Sequence, residues 1–231
     1  MDEIKITECP RDAMQGIKRW IPIEDKIGYL QNLLKVGFDT LDCGSFVSSK
    51  VIPQLKDTGE VIRGLDLTST KTKLLVIIAN LRGAEIACNY DQIDYLGFPF
   101  SISENFQIRN VNKTIKESIS ELHLIADKVN KTNKELIVYL SMGFGNPYGD
   151  PWSPSIVSYW CEKLSYLGVK KISLSDTVGT AKKENISSIF NTLIPEFTDI
   201  NFGAHFHTTL KNWYNKVDAA YSSGCNSFDG V

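Results

Sequence analysis

The sequence predicts an α/β chain folded as a single (β/α)8 TIM barrel, on three observations. Eight strand-like segments alternate with seven helix-like ones along 231 residues, no composition shift or linker divides them, and no glycine-rich nucleotide motif follows the first strand. Repeated βα units demand parallel strands with right-handed crossovers, and eight in one domain-sized chain favour a closed barrel over a doubly wound open sheet. The chain stops where the last strand ends. That leaves residues 1–231 as one barrel domain lacking its eighth helix, C-terminally incomplete.

Each element has its own signal. Ile4 to Glu8 alternates with period two and ends before Pro10, as a strand does. Ile23, Ile27, Leu30 and Leu34 recur at helical spacing, with Pro22 near the first turn and Gly37 past the end. Phe38 to Cys43 reads as the second strand, Thr58 to Leu65 as a helix, and Leu74 to Ala79 as a strand buried on both faces. A short helix from Arg82 to Tyr90 precedes the strand Ile93 to Phe98. Ile115, Ile119, Leu122, Ala126 and Val129 mark a longer helix, followed by the strand Leu136 to Leu140. Ser153-Pro154 has helix-start chemistry, and Ile156, Trp160, Leu164 and Leu167 supply the buried stripe before Gly168. Lys171 to Leu174 is the sixth strand, Ile186 to Ile194 a helix, and Asn201 to Phe206 the seventh strand. Leu210, Trp213, Val217 and Ala220 make the next helix, which ends at Gly224, and Asn226 to Val231 form the eighth strand.

Composition narrows the function classes. Twenty-five basic against 27 acidic residues give a net charge of −2, so no basic face for nucleic acid is expected. The longest apolar runs are strand-length, so no membrane span is expected. Cys9, Cys43, Cys88, Cys161 and Cys225 are odd in number and scattered, without a CxxC pair, which argues against a disulfide framework or a thiolate zinc site. With a start, Met1-Asp-Glu, that carries no basic, apolar leader, this predicts a cytoplasmic protein. Self-association is left open.

In such barrels the working residues gather at the C-terminal ends of the strands. Those positions hold Arg11-Asp12, Asp42 to Ser45, Asn80, Ser141, Ser175 to Thr177, and His205-Phe-His207. Residues i and i+2 of a strand share a face, so His205 and His207 project side by side, about 7 Å apart. An isolated pair of this kind has an ordinary alternative, two hydrogen-bonded rim histidines. Barrel closure brings strands seven, eight and one together, so Asp12 can reach the same point. Two nitrogens and one carboxylate suit Mg²⁺ or Mn²⁺, with zinc still open. Arg11 is then either half of a surface ion pair or a fixed cation able to hold an oxyanion. Asp42 and Asp176 are orienting or proton-transfer groups, or else loop caps. His123, mid-helix, reads as structural, and the loop Gly143 to Gly149 could cradle phosphate or adenine.

Four ordered motifs carry a resemblance. Pro10-Arg-Asp-Ala-Met-Gln15, Gly44-Ser-Phe-Val-Ser48, Ser173-Leu-Ser-Asp-Thr-Val-Gly179 and Ala204-His-Phe-His207 resemble those of the 3-hydroxy-3-methylglutaryl-CoA lyases. These belong to a barrel superfamily of metal-dependent lyases and Claisen-type synthases. Ile78-Ala-Asn-Leu-Arg-Gly83, with the Gly143 loop, is similar to a bacterial branch. The resemblance implies a retro-Claisen cleavage of an acyl-CoA to acetyl-CoA and acetoacetate, in leucine degradation or ketone-body formation. It further implies Asp12, His205 and His207 as ligands of a divalent metal, Mg²⁺ or Mn²⁺, and Arg11 as the group that stabilises the enolate of departing acetyl-CoA. Gln15 and Ser45 match residues near substrate, Asp42 and Asp176 match acidic residues important for activity, and His205 is the candidate for assisting proton transfer.

The departures point elsewhere. The lyases continue past the last strand into a glycine-rich loop with a reactive cysteine, then an asparagine that completes the metal shell. This chain ends at Val231, and Cys225 precedes the final strand. Thr208 stands where some relatives carry an acidic residue. The expectation is therefore a fragment of a longer enzyme. Rival readings are a related synthase or aldolase, against which Glu8-Cys-Pro10 stands in place of Thr-Leu, and a non-catalytic truncated barrel.

Overall fold

A computed structural model of the chain describes residues 3–230. Met1, Asp2 and Val231, the last assigned to the eighth strand on sequence grounds, lie outside the described residues. The chain runs β1 (Lys5–Glu8), α1 (Pro10–Gln15), α2 (Ile23–Val36), β2 (Thr40–Ser45), a 3₁₀ turn (Pro53–Leu55), α3 (Thr58–Arg63), β3 (Lys73–Ile77) and α4 (Leu81–Ala87). It continues through β4 (Tyr95–Ser101), α5 (Glu104–Val111), α6 (Ile115–Val129), β5 (Glu135–Ser141) and α7 (Pro154–Tyr166). The last part is β6 (Lys171–Asp176), α8 (Lys183–Glu196), β7 (Asn201–Phe206), α9 (Trp213–Ser222) and β8 (Ser227–Gly230).

The eight strands close into a barrel in sequence order, all pairs parallel. Closure is made by β8, whose Ser227 pairs with Gly203 of β7 on one side and with Lys5 of β1 on the other. The (β/α)8 fold expected from the alternation is therefore the fold observed. Among the described residues no helix follows β8.

Local chemistry explains the helix ends. The Thr114 hydroxyl accepts from the Glu117 backbone N–H while the Glu117 carboxylate takes the Thr114 N–H, a reciprocal cap that starts α6. Ser153 caps α7 with Pro154 in its first turn. Gly37 ends α2 at φ 86°, a left-handed position that side chains avoid.

Nine α-helices stand among the described residues where seven were expected. The short α1 follows β1 directly, too brief for a helical period to show. The other addition, α5, buries only Gln107 and has no apolar stripe; its sequence signal is the Ser103 cap. Leu210 was expected on the stripe of the last helix, but α9 begins at Trp213 and Leu210 is 95% exposed. The fourth strand runs past its expected end at Phe98 to Ser101. Pro99 is tolerated because β3, paired with β4 only through Gly97, has already ended there, so no ladder bond needs the missing N–H.

The apolar core lies between barrel and helices, built on residues such as Leu30, Val76, Leu96, Leu122, Ile189 and Phe190. Inside the barrel the lining is uneven. Leu75, Ile77 and Tyr139 fill the side of β3 and β5. Thr7, Ser173, Gly203, Ser227 and Asp229, from β1, β6, β7 and β8, border a small cavity of about 160 Å³ at the other end.

Candidate metal centre and active-site cavity

Asp12, His205 and His207 converge at the C-terminal mouth. One ligand atom from each lies within 4.8 Å of the others. Strand alternation supplies the histidines, whose ring centroids are 5.5 Å apart. Asp12 comes from α1, which turns over the barrel mouth as soon as β1 ends. One carboxylate oxygen and two imidazole nitrogens fit a divalent cation that keeps open positions for oxygen ligands.

Asp229 supports this group and was missed in the sequence. Its Oδ2 lies 2.9 Å from Nδ1 of His205 and also accepts from the Ser173 hydroxyl at 3.1 Å. A carboxylate on Nδ1 fixes the ring and leaves Nε2 as the available ligand atom. Burial works against the His205 charge, but the Asp229 bond, then its charge and that of Asp12, raise its pKa overall. Tyr139 meets the same ring edge-on, with centroids 5.5 Å apart.

Arg11 is held on several sides. Its Nε donates to Asp42 at 3.0 Å and its Nη2 at 2.6 Å, while Nη1 donates to Asp12 and Gln15, each at 3.1 Å. A guanidinium has five N–H groups. One, on Nη2, has no partner among the described residues. Asp42 is fully buried. Burial pushes its carboxyl up against the pull of Arg11. Burial likewise opposes the Arg11 charge, but Asp42 more than restores it and raises the pKa. Gln15 Nε2 also donates to Asp12 at 2.6 Å.

A cavity of about 670 Å³ adjoins the triad, lined among others by Arg11, Gln15, Ser48, Asn80, Arg109 and Lys113. Three of those six are cations, and Ile77, Val51 and Pro99 give apolar wall. The size and mixed lining suit a substrate with an anionic part and an apolar part.

Not every expected residue reaches this space. Asp176 is 2% exposed and faces away, with Oδ1 accepting from Ala181 N and Oδ2 from the Lys216 ammonium. Its neighbours Ser175 and Thr177 line the cavity instead. Ser45 is buried; its hydroxyl donates to the Ile77 carbonyl and accepts from Val47 N, shaping the turn that presents Ser48. The Gly143 to Gly149 loop does not line the cavity. Phe144 packs on Phe206, and Trp152 Nε1 donates to the Gly143 carbonyl. His123 is an exposed helix residue 3.7 Å from Asp127.

Comparison with known proteins points one way. Residues 4–231 match the family described as HMGL-like. The chain is 31% identical over 221 residues to hydroxymethylglutaryl-CoA lyase YngG of Bacillus subtilis, covering 96% of this chain and 73% of that one. An HMG-CoA lyase crystal structure from B. subtilis superposes with a TM-score of 0.92 at 30% identity, over 99% of this chain and 76% of the other. An HMG-CoA lyase from A. baumannii, in complex with coenzyme A and 3-methylmalate, gives 0.90 at 28% identity, over 99% and 74%.

Proposed function

The chain belongs to the HMGL-like family, and we propose that it is a divalent-metal-dependent carbon–carbon lyase cleaving 3-hydroxy-3-methylglutaryl-CoA to acetyl-CoA and acetoacetate. The observation that carries this reading is the convergence of Asp12, His205 and His207 beside the Arg11 fork at the mouth of one cavity. The chain spans about three quarters of the length of the B. subtilis relative.

Asp12 and Nε2 of His205, with His207, would hold the metal, Mg²⁺ or Mn²⁺ by their mixed oxygen and nitrogen donors. When bound, such a cation supplies Lewis-acid charge at the substrate's hydroxyl and carboxylate oxygens. The remaining chemistry falls to the chain. As the substrate's 3-hydroxyl gives up its proton, the C2–C3 bond breaks to leave the ketone of acetoacetate, and enolate charge develops on the thioester oxygen. There Arg11, locked by Asp42, presents its free N–H. A pre-set cation requires no reorganisation at that moment. A proton gained at C2 then completes acetyl-CoA. Gln15 steadies both Arg11 and Asp12. Nε2 of His205 cannot both ligate metal and carry a proton, so proton movement at this ring is confined to the Nδ1 bond with Asp229. Asp42 acts through Arg11, and Asp176 and Ser45 act by shaping the loops around the cavity.

Arg109 and Lys113, the latter ion-paired with Glu121, bring positive charge to the cavity wall, which suits an acyl-CoA better than an uncharged thioester. The five unpaired cysteines suit a reducing cytoplasm. The reading is tested by following acetyl-CoA and acetoacetate released from 3-hydroxy-3-methylglutaryl-CoA with Mg²⁺ or Mn²⁺, before and after chelation. Cleavage that survives complete chelation, or that occurs only with a different acyl-CoA, would overturn it.

A further inference from the structure

Lys216 sits in the first turns of α9 and is 3% exposed. An ammonium is expensive to bury and has three protons to place. Here each has an acceptor: Asp176 Oδ2 at 2.5 Å, the Gly179 carbonyl at 2.9 Å and the His207 carbonyl at 3.1 Å. These acceptors come from the end of β6, the loop after it, and the residue just past β7. All three segments border the site.

The two histidines are held in different ways. The ring of His205 is fixed by Asp229. Among the described residues, the ring of His207 has no hydrogen bond, and its placement depends on its backbone. The carbonyl oxygen of that backbone accepts from Lys216, and Gly179 packs closely against the same carbonyl. A Cβ at Gly179 would come within 3.1 Å of the His207 carbonyl oxygen, and the backbone there is left-handed at φ 71°. Asp176 keeps the ammonium in place and ties the loop's far end through Ala181 N.

We propose that Lys216 is the positioning residue for His207, clamping the ends of β6 and β7 so that the imidazole meets its partners in the metal site. The assignment rests on the metal reading above. It separates Lys216 from an ordinary helix anchor, because the bonds to Gly179 and His207 are made to backbone that no charge-neutralising change can restore.

The test is Mn²⁺ affinity by electron paramagnetic resonance, with melting temperature measured alongside, for wild type, Lys216→Met and the double variant Lys216→Met/Asp176→Asn. The double variant removes both buried charges and should melt higher than the single one. Both variants should bind Mn²⁺ at least about 10-fold more weakly than wild type, in the range typical of groups that orient metal ligands. Wild-type affinity in the single variant, or affinity that returns with stability in the double one, would overturn the assignment. A wild-type chain that binds no Mn²⁺ would remove the metal reading and this assignment with it.

Discussion

Asp229 Oδ2 stands 2.9 Å from Nδ1 of His205 because β8 closes the barrel beside β7. Ala204 pairs with Phe228, so the next residue on each strand turns inward at the same level. Asp229→Asn keeps the shape but loses the charge that holds the ring. We expect Mn²⁺ affinity to fall about 10- to 100-fold, with little change in secondary structure. Calorimetric titration showing equal affinity would remove Asp229 from the support of the site.

Arg11→Lys keeps a positive charge and loses the fork. Lysine cannot reproduce the paired bonds to Asp42 or leave a directed N–H over the cavity. Turnover should drop about 10²- to 10³-fold while Mn²⁺ affinity stays within about threefold. Because Asp42 is fully buried, stability should also fall by about 1–3 kcal/mol. Steady-state kinetics with unchanged kcat would contradict the oxyanion role.

How much of this was legible in the chain can be judged from particular residues. The HxH pair and Asp12 were readable because a strand period of two and barrel closure fix where such residues go. Asp229 had a signal too, an acidic residue in a predicted terminal strand, but its partner depends on the register between β7 and β8, which no local pattern specifies. Lys216 reads as one more polar residue of an amphipathic helix, since α9 buries it beside Ala219 and Ala220 rather than exposing it. The orientation of Asp176 was hidden for a similar reason. Its place at the end of β6 was right, but alternation turns it to the outer face while Ser175 faces the cavity.

The buried pair of Lys26 and Asp57 supports α2 against the 3₁₀ turn. Lys26 Nζ lies 2.8 Å from Asp57 Oδ1 and 2.5 Å from the Gln54 carbonyl, with the Trp20 ring 4.0 Å away. Lys26→Met leaves the Asp57 charge buried without a partner and should cost about 3–5 kcal/mol in denaturant unfolding. Adding Asp57→Asn should recover part of that loss. A single variant as stable as wild type would contradict the pairing.

The cap on α6 makes stability depend on pH. Hydrogen bonds from the Thr114 backbone N–H and hydroxyl hold the Glu117 carboxyl below its usual range. Its contribution is therefore complete above the unfolded carboxylate pKa of about 4.3 and is lost as pH falls through the lower folded value. Glu117→Gln does not titrate. The melting-temperature gap between wild type and this variant should narrow as pH drops from about 6 to about 3, and a gap that holds constant would contradict the charge-assisted cap.

The most direct measurement is anomalous diffraction from crystals of the chain grown with Mn²⁺. A single strong peak bonded to Asp12, to Nε2 of His205 and to His207, and absent from the Asp12→Ala protein, is the predicted result. A peak held by other residues, or one that persists after Asp12→Ala with the same two histidines, would contradict the three-residue site on which the lyase reading stands.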